Sequence, residues 1–280
     1  MLDLDIKEYL TRAGIRRIHE LDTALIEAYG QDEGERHIER LTQLYDQSEN
    51  RLVYGAEETP YLHRQEELAA YLNQSLQMSL LAASYYDRVF FKRVLEYLVR
   101  YDSFLSGDLV DMGCGNGVLT CFLALRHPDS VVTGLDLSPN AVLAAEELAA
   151  RLEVHNVHFH SADGRQPKSC DTLFSCRTVH ENVRWKALCE EPDPAALSVG
   201  ELTKRHSAYA KELAARIKPE GYLVSVERYE EDNAYAGLCC ALERAGLCQV
   251  RGTHMQFSCK NGDNTAVFQA MVFQKISALS

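Results

Sequence analysis

A chain of 280 residues with 46% hydrophobic and 25% charged content has apolar material for a large folded core, which excludes a disordered or low-complexity protein. Its formal net charge of −12 opposes phosphate backbones and anionic lipid, so nucleic acid and membrane surfaces are not expected as partners. Nine cysteines, an odd number with no C-x-x-C pair, and an acidic start lacking a signal-type apolar core point to reduced thiols, no metal site and a cytoplasmic location.

Residues 1–105 read as helix after helix, near 3–13, 16–29, 33–48, 60–75 and 84–101. Gly14 and Gly30 read as helix stops. Thr59 before Pro60 reads as an N-cap with proline in the first turn, and Ser84 with Asp87 as a capping box. Tyr86, Phe90, Val94 and Leu98 then recur every four residues, widened by Phe91 and Leu95, an apolar stripe that needs a surface to pack on. This half is expected to form a helical cap or lid over the remainder, residues 106–280.

From residue 107 the rhythm becomes strand–helix alternation, the pattern of a doubly wound α/β domain. Strands are expected near 108–112, 130–135, 156–160, 171–176, 221–228, 248–258 and 265–275, with helices near 117–126, 139–153, 203–217 and 232–245. Only Asn261-Gly262-Asp263-Asn264 separates the last two strands, so the terminal strand should insert antiparallel through a hairpin. The stretch 183–202 breaks both periodicities and follows the fourth strand; a lid over the ligand edge and a surface insertion both fit it.

The most informative run is Leu109 to Thr120. An apolar strand delivers Asp111; Gly113, Gly115 and Gly117 alternate, and a helix follows. Glycines let the backbone turn sharply against a ligand, and the helix N-terminus offers N–H groups to it. The dinucleotide pattern G-x-G-x-x-G is not met, because Val118 stands where its third glycine would fall. Asp136 ends the next strand, 23 residues after Gly113, where an acceptor-only carboxylate suits the two hydroxyls of a ribose. Ser161-Ala162-Asp163-Gly164 follows the third strand, and Ile217-Lys218-Pro219-Glu220-Gly221 precedes the fifth.

In this order the four motifs resemble those of class I S-adenosylmethionine-dependent methyltransferases, over about residues 105–275. The resemblance implies a seven-stranded doubly wound sheet with a terminal antiparallel hairpin, and S-adenosylmethionine as cofactor. It implies a cofactor loop at Asp111, Gly113, Cys114, Gly115 and Gly117. Asp136 would hold the ribose, Leu137 would cover the adenine, and Asp163 with Gly164 would lie near the adenine amino group.

Chemistry is expected from the ends of strands four and five. His180 is a candidate base, since histidine as a residue type changes charge near neutral pH, with Glu181 beside it and Asn182 as a substrate contact. Arg177 would pair with a carboxylate of the methionine arm or of the substrate. Glu227 would hold an amine or steady the cation, or would instead form a surface ion pair with Arg228. Tyr86, on the helix leading into the first strand, could present its ring to a sulfonium, and Tyr85 could meet the substrate. The function expected is methyl transfer to a small polar acceptor, amine-like or amino-acid-like, with a homodimer left open. Two alternatives stand beside it. One is use of the cofactor's aminocarboxypropyl arm, by transfer or cyclisation with release of methylthioadenosine; the other is a non-catalytic cofactor-binding scaffold.

Overall fold

The computed structural model describes residues 5–49, 67–161, 169–178, 197–261 and 264–276. The helices described before the sheet include α1 (Ile6–Arg12), α2 (Leu21–Tyr29), α3 (Gln31–Glu49) and α4 (Leu76–Arg100). Residues 67–72 are also helical; Thr59, Pro60 and the rest of the helix expected at 60–75 lie outside the described residues. Gly14 and Gly30 both have positive φ, +79° and +84°, and each follows a helix end, as their place in the sequence suggested. Ser84 does not start a helix. The helix begins two turns earlier, capped by Ser75, whose hydroxyl accepts from the Met78 N–H at 3.2 Å. Ser84 is buried mid-helix and accepts instead from the Arg16 N–H at 3.1 Å.

The sheet alternates with helices: β1 (Leu109–Met112), α5 (Val118–Arg126), β2 (Val132–Asp136), α6 (Pro139–Leu152), β3 (Val157–Ser161), β4 (Cys170–Cys176), α7 (Val199–Arg216), β5 (Ile217–Arg228), α8 (Asp232–Arg244), β6 (Leu247–Gln249), β7 (Met255–Asn261) and β8 (Asn264–Lys275). Its order is β3-β2-β1-β4-β5-β8-β6, with β7 also paired to β8. Strands β1 to β5 run parallel, and β8 lies antiparallel between β5 and the β6/β7 edge.

Among the described residues the sheet therefore has eight strands where seven were expected. The strand expected near 248–258 is broken in two, because Gly252 takes a positive φ of +79° and turns the chain out of the ladder. Thr253 fills the gap: its hydroxyl donates to the Val250 carbonyl at 2.8 Å and accepts from the Val272 N–H at 3.1 Å. The helix expected at 203–217 also starts earlier, at Val199, under a reciprocal Ser198–Glu201 capping box. Residues 197–202 of the expected lid stretch are thus helix and cap, and 183–196 lie outside the described residues.

Side chains alternate across the strands, so each face has its own core. Phe174, Val224 and Val272 pack with α1, α4, α5 and α6. Their neighbours Leu173, Leu223 and Phe273 pack with α7 and α8. The stripe Phe90, Val94 and Leu98 of α4 belongs to the first core. So does α1, whose fully buried Tyr9 donates its hydroxyl to the Val118 carbonyl at the start of α5. A third, smaller cluster joins Leu25, Leu41, Leu44, Leu68, Met78 and Leu81 of the helical half. At the opposite end of the sheet Lys218 reaches both Asp108 and Asp171 at 2.9 Å, tying together the starts of β1, β4 and β5. Asp171 is held below the usual carboxylate range by the Asp108 N–H and by Lys218. The lysine-proline-glycine motif is thus anchored structurally in this chain.

Candidate functional site

The loop after β1 is built on glycines that serve different needs. Gly113 has φ +74°, and a Cβ there would lie 2.4 Å from Cγ2 of Thr178. Gly117 has φ +78° and opens α5 with no side-chain cap; a Cβ would sit 2.8 Å from that of Ala145 on α6. Gly115 has φ +52°, and a Cβ would meet nothing within 4 Å, so its backbone borders open space. The N–H groups of Gly113 and Cys114 both donate to the Leu135 carbonyl, at 2.7 and 2.9 Å, which folds the loop onto the end of β2.

That fold brings Asp136 against the loop. Its Oδ2 accepts from the Gly115 N–H at 2.8 Å and its Oδ1 from the Ser138 N–H at 2.9 Å. Burial raises its pKa, and the N–H groups of Ser138, Gly115 and Leu137 oppose the rise. Each carboxylate oxygen has a second lone pair, so a fixed pair of acceptors remains suited to two hydroxyl donors. Leu137 beside it is 84% exposed, an apolar side chain held in the open. Cys114 is buried, and burial pushes its thiol up.

Asp111 lies beneath the loop and is buried. Thr120, one turn into α5, donates to its Oδ2 at 2.6 Å. Burial pushes the Asp111 carboxyl up to about 7; the Thr120 bond opposes this and the negative charge of Asp136 adds to it. A carboxyl poised near neutrality under a glycine loop can answer a cationic ligand by releasing its proton.

A second group of side chains meets at the ends of β4 and β5. Arg177 has a positive φ of +65° and donates its N–H to the Val226 carbonyl at 2.9 Å. Its guanidinium carbon lies 5.7 Å from the centre of the Phe90 ring, turned towards α4. Glu227 is fully buried, which overturns the reading of it as a surface ion pair; Arg228 pairs with Glu230 instead. Ser175 donates to Glu227 Oε1 at 2.9 Å, the hydroxyls of Ser175 and Thr178 are 2.7 Å apart, and Tyr209 from α7 donates to Thr178 at 2.9 Å. Thr120, Ser175, Thr178 and Tyr209 escaped the sequence reading. Even spacing from buried Leu223 did carry a signal that Glu227 faces the α7/α8 side.

Tyr85 lines a groove of about 430 Å³ with residues of α2 and α3, including Asp22, Leu41 and Tyr45, and no residue of the glycine loop. Tyr86 falls within α4, and its side chain is outside what is described; so are His180, Glu181, Asn182, Asp163 and Gly164.

Comparison with known proteins adds to this geometry. Residues 106–244 match a family described as a methyltransferase domain. A release factor glutamine methyltransferase from Vibrio cholerae is 31% identical over 136 residues, which are 49% of this chain and 41% of that protein. A trans-aconitate 2-methyltransferase from Rhodococcus jostii is 48% identical over 52 residues, 19% of this chain and 20% of that protein. This chain therefore spans less than half the length of either relative. The solved structure of an O-methyltransferase family protein from Burkholderia thailandensis superposes with a TM-score of 0.53 at 13% identity. The match covers 87% of this chain and 71% of that one, a likeness of fold.

Proposed function

We propose that residues 106–244, which match a methyltransferase domain, form a class I S-adenosylmethionine-dependent methyltransferase domain, and that this chain transfers the methyl group of S-adenosylmethionine to a small polar acceptor. The observation that carries the reading is Asp136, pinned by the Gly115 and Ser138 N–H groups at the end of β2 beside a loop whose Gly115 borders open space. In this reading Asp136 holds the ribose hydroxyls. The Gly113–Gly117 backbone lies along the cofactor, and Leu137 offers an apolar face to its adenine. Bound S-adenosylmethionine supplies an electrophilic methyl on a sulfonium. The chain's part is to align the acceptor in line with that methyl, exclude water, and accept a proton where the acceptor carries one.

The net charge of −12 favours a small acceptor over a nucleic acid, although release factor and ribosomal RNA methyltransferases are among the relatives. His180, Glu181 and Asn182, which follow β4 in sequence, are our candidates for meeting the acceptor.

The test is mass spectrometry of the purified protein incubated with S-adenosylmethionine, with and without a small-metabolite extract. S-adenosylhomocysteine formed only with extract, together with a metabolite heavier by one methylene, is the expected result. Asp136→Ala should suppress it by at least tenfold. Product formed only with ribosomal RNA or a protein would overturn the small-acceptor reading. Methylthioadenosine formed without extract would overturn methyl transfer itself.

A further inference from the structure

The hydroxyls at the ends of β4 and β5 form a directed relay. Each hydroxyl has one proton to donate. With Glu227 ionised, Ser175 gives its proton to Oε1, so it accepts in turn from Thr178, 2.7 Å away, and Thr178 accepts from Tyr209. Three elements and the turn after β4 contribute one member each, and every donor points towards one fully buried carboxylate. An ionised Glu227, which only accepts, is the end on which this polarity runs. A neutral side chain there would avoid the cost of desolvating a charge. The relay is also joined to the cofactor loop: Cγ2 of Thr178 occupies the space that a Cβ on Gly113 would need, 2.4 Å away.

We propose that Glu227, held as a buried anion by the Tyr209–Thr178–Ser175 relay, is a specificity-determining residue that makes the site prefer a cationic sulfonium to a neutral thioether. Tyr209 is a positioning residue in this scheme, acting through Thr178 and Ser175. Methyl transfer converts the sulfonium cofactor into a neutral thioether product, so a fixed negative charge nearby holds the reactant more tightly than the product. Such a field acts over several ångströms in a poorly solvated interior and needs no direct contact. The proposal rests on the reading of the glycine loop as an S-adenosylmethionine site.

The experiment is calorimetric titration of S-adenosylmethionine and of S-adenosylhomocysteine into the intact chain and into Glu227→Gln and Tyr209→Phe. Glu227→Gln is expected to weaken S-adenosylmethionine about tenfold and to change S-adenosylhomocysteine by less than about threefold. Tyr209→Phe, which keeps the ring and removes one donor, should shift the ratio the same way by a smaller factor. If both ligands weaken equally in both variants, the relay only packs the site and the proposal is wrong. If Glu227→Gln does not fold, Tyr209→Phe decides alone, and an unchanged ratio there overturns the proposal. Failure of the unaltered chain to bind either ligand would instead overturn the cofactor reading beneath it.

Discussion

Asp111 shows how a single buried side chain beneath the glycine loop couples stability to pH. Its carboxyl lies near pH 7 in the folded chain, against 3.8 for an ordinary aspartate. Between those values the folded state keeps a proton that the unfolded chain has released. Stability therefore falls as pH rises through this window, by up to about 1.4 kcal/mol per pH unit. Asp111→Asn keeps an acceptor for Thr120 and removes the titration. The variant should melt at a higher temperature than the parent at pH 8, with the gap shrinking towards pH 4. Parallel melting curves over that range would refute it. The glycines and Asp136 were legible in the sequence because a loop of this kind is local: positive φ, close approach and an N–H-capped carboxylate all arise within about 25 residues. Thr178 and Tyr209 were not, because they meet across 31 residues, and Ser175 meets Glu227 across 52, with no short pattern linking them.

Among elements, the break between β6 and β7 illustrates what periodicity misses. Residues 248–258 read as one strand, and only the pairing with β8 reveals that Thr253 replaces a rung of the ladder. The Tyr97 hydroxyl on α4 donates to the Thr253 carbonyl at 2.9 Å, so the same turn also docks a helix. Thr253→Val removes both hydroxyl bonds while keeping the shape and leaves the Val272 N–H unpaired. A loss of about 1–3 kcal/mol in urea unfolding is expected, with an unchanged m-value. A loss near zero would mean that water restores the bonds. The start of α4 teaches the same lesson. Ser75 and Ser84 are both plausible caps by residue type, and burial against Arg16 removes Ser84 from that role.

Across the whole molecule, the helical half is divided between two packing environments. Helices α1 and α4 share the core of the sheet, whereas α2, α3 and residues 67–72 bury a smaller cluster among themselves and against the start of α4. Local opening should follow that division. In native-state hydrogen exchange, the amides of α2 and α3 are expected to exchange at lower free energy than those of β1, β4 and β5. Equal protection in the two regions would show that the helical half and the sheet open as one unit.

What the sequence determined by itself was set by local rules. The strand–helix rhythm after residue 107, the positive-φ glycines, Asp136 at its strand end and the terminal hairpin all follow from backbone geometry within a few residues. Local rules fall silent where distant segments must share space and protons. Only the tertiary structure divided the sheet edge into β6 and β7, joined Glu227 through Ser175 and Thr178 to Tyr209, and placed α1 under the start of α5. Those features depend on which donor meets which acceptor once the chain has packed, and that choice is made by burial rather than by sequence spacing.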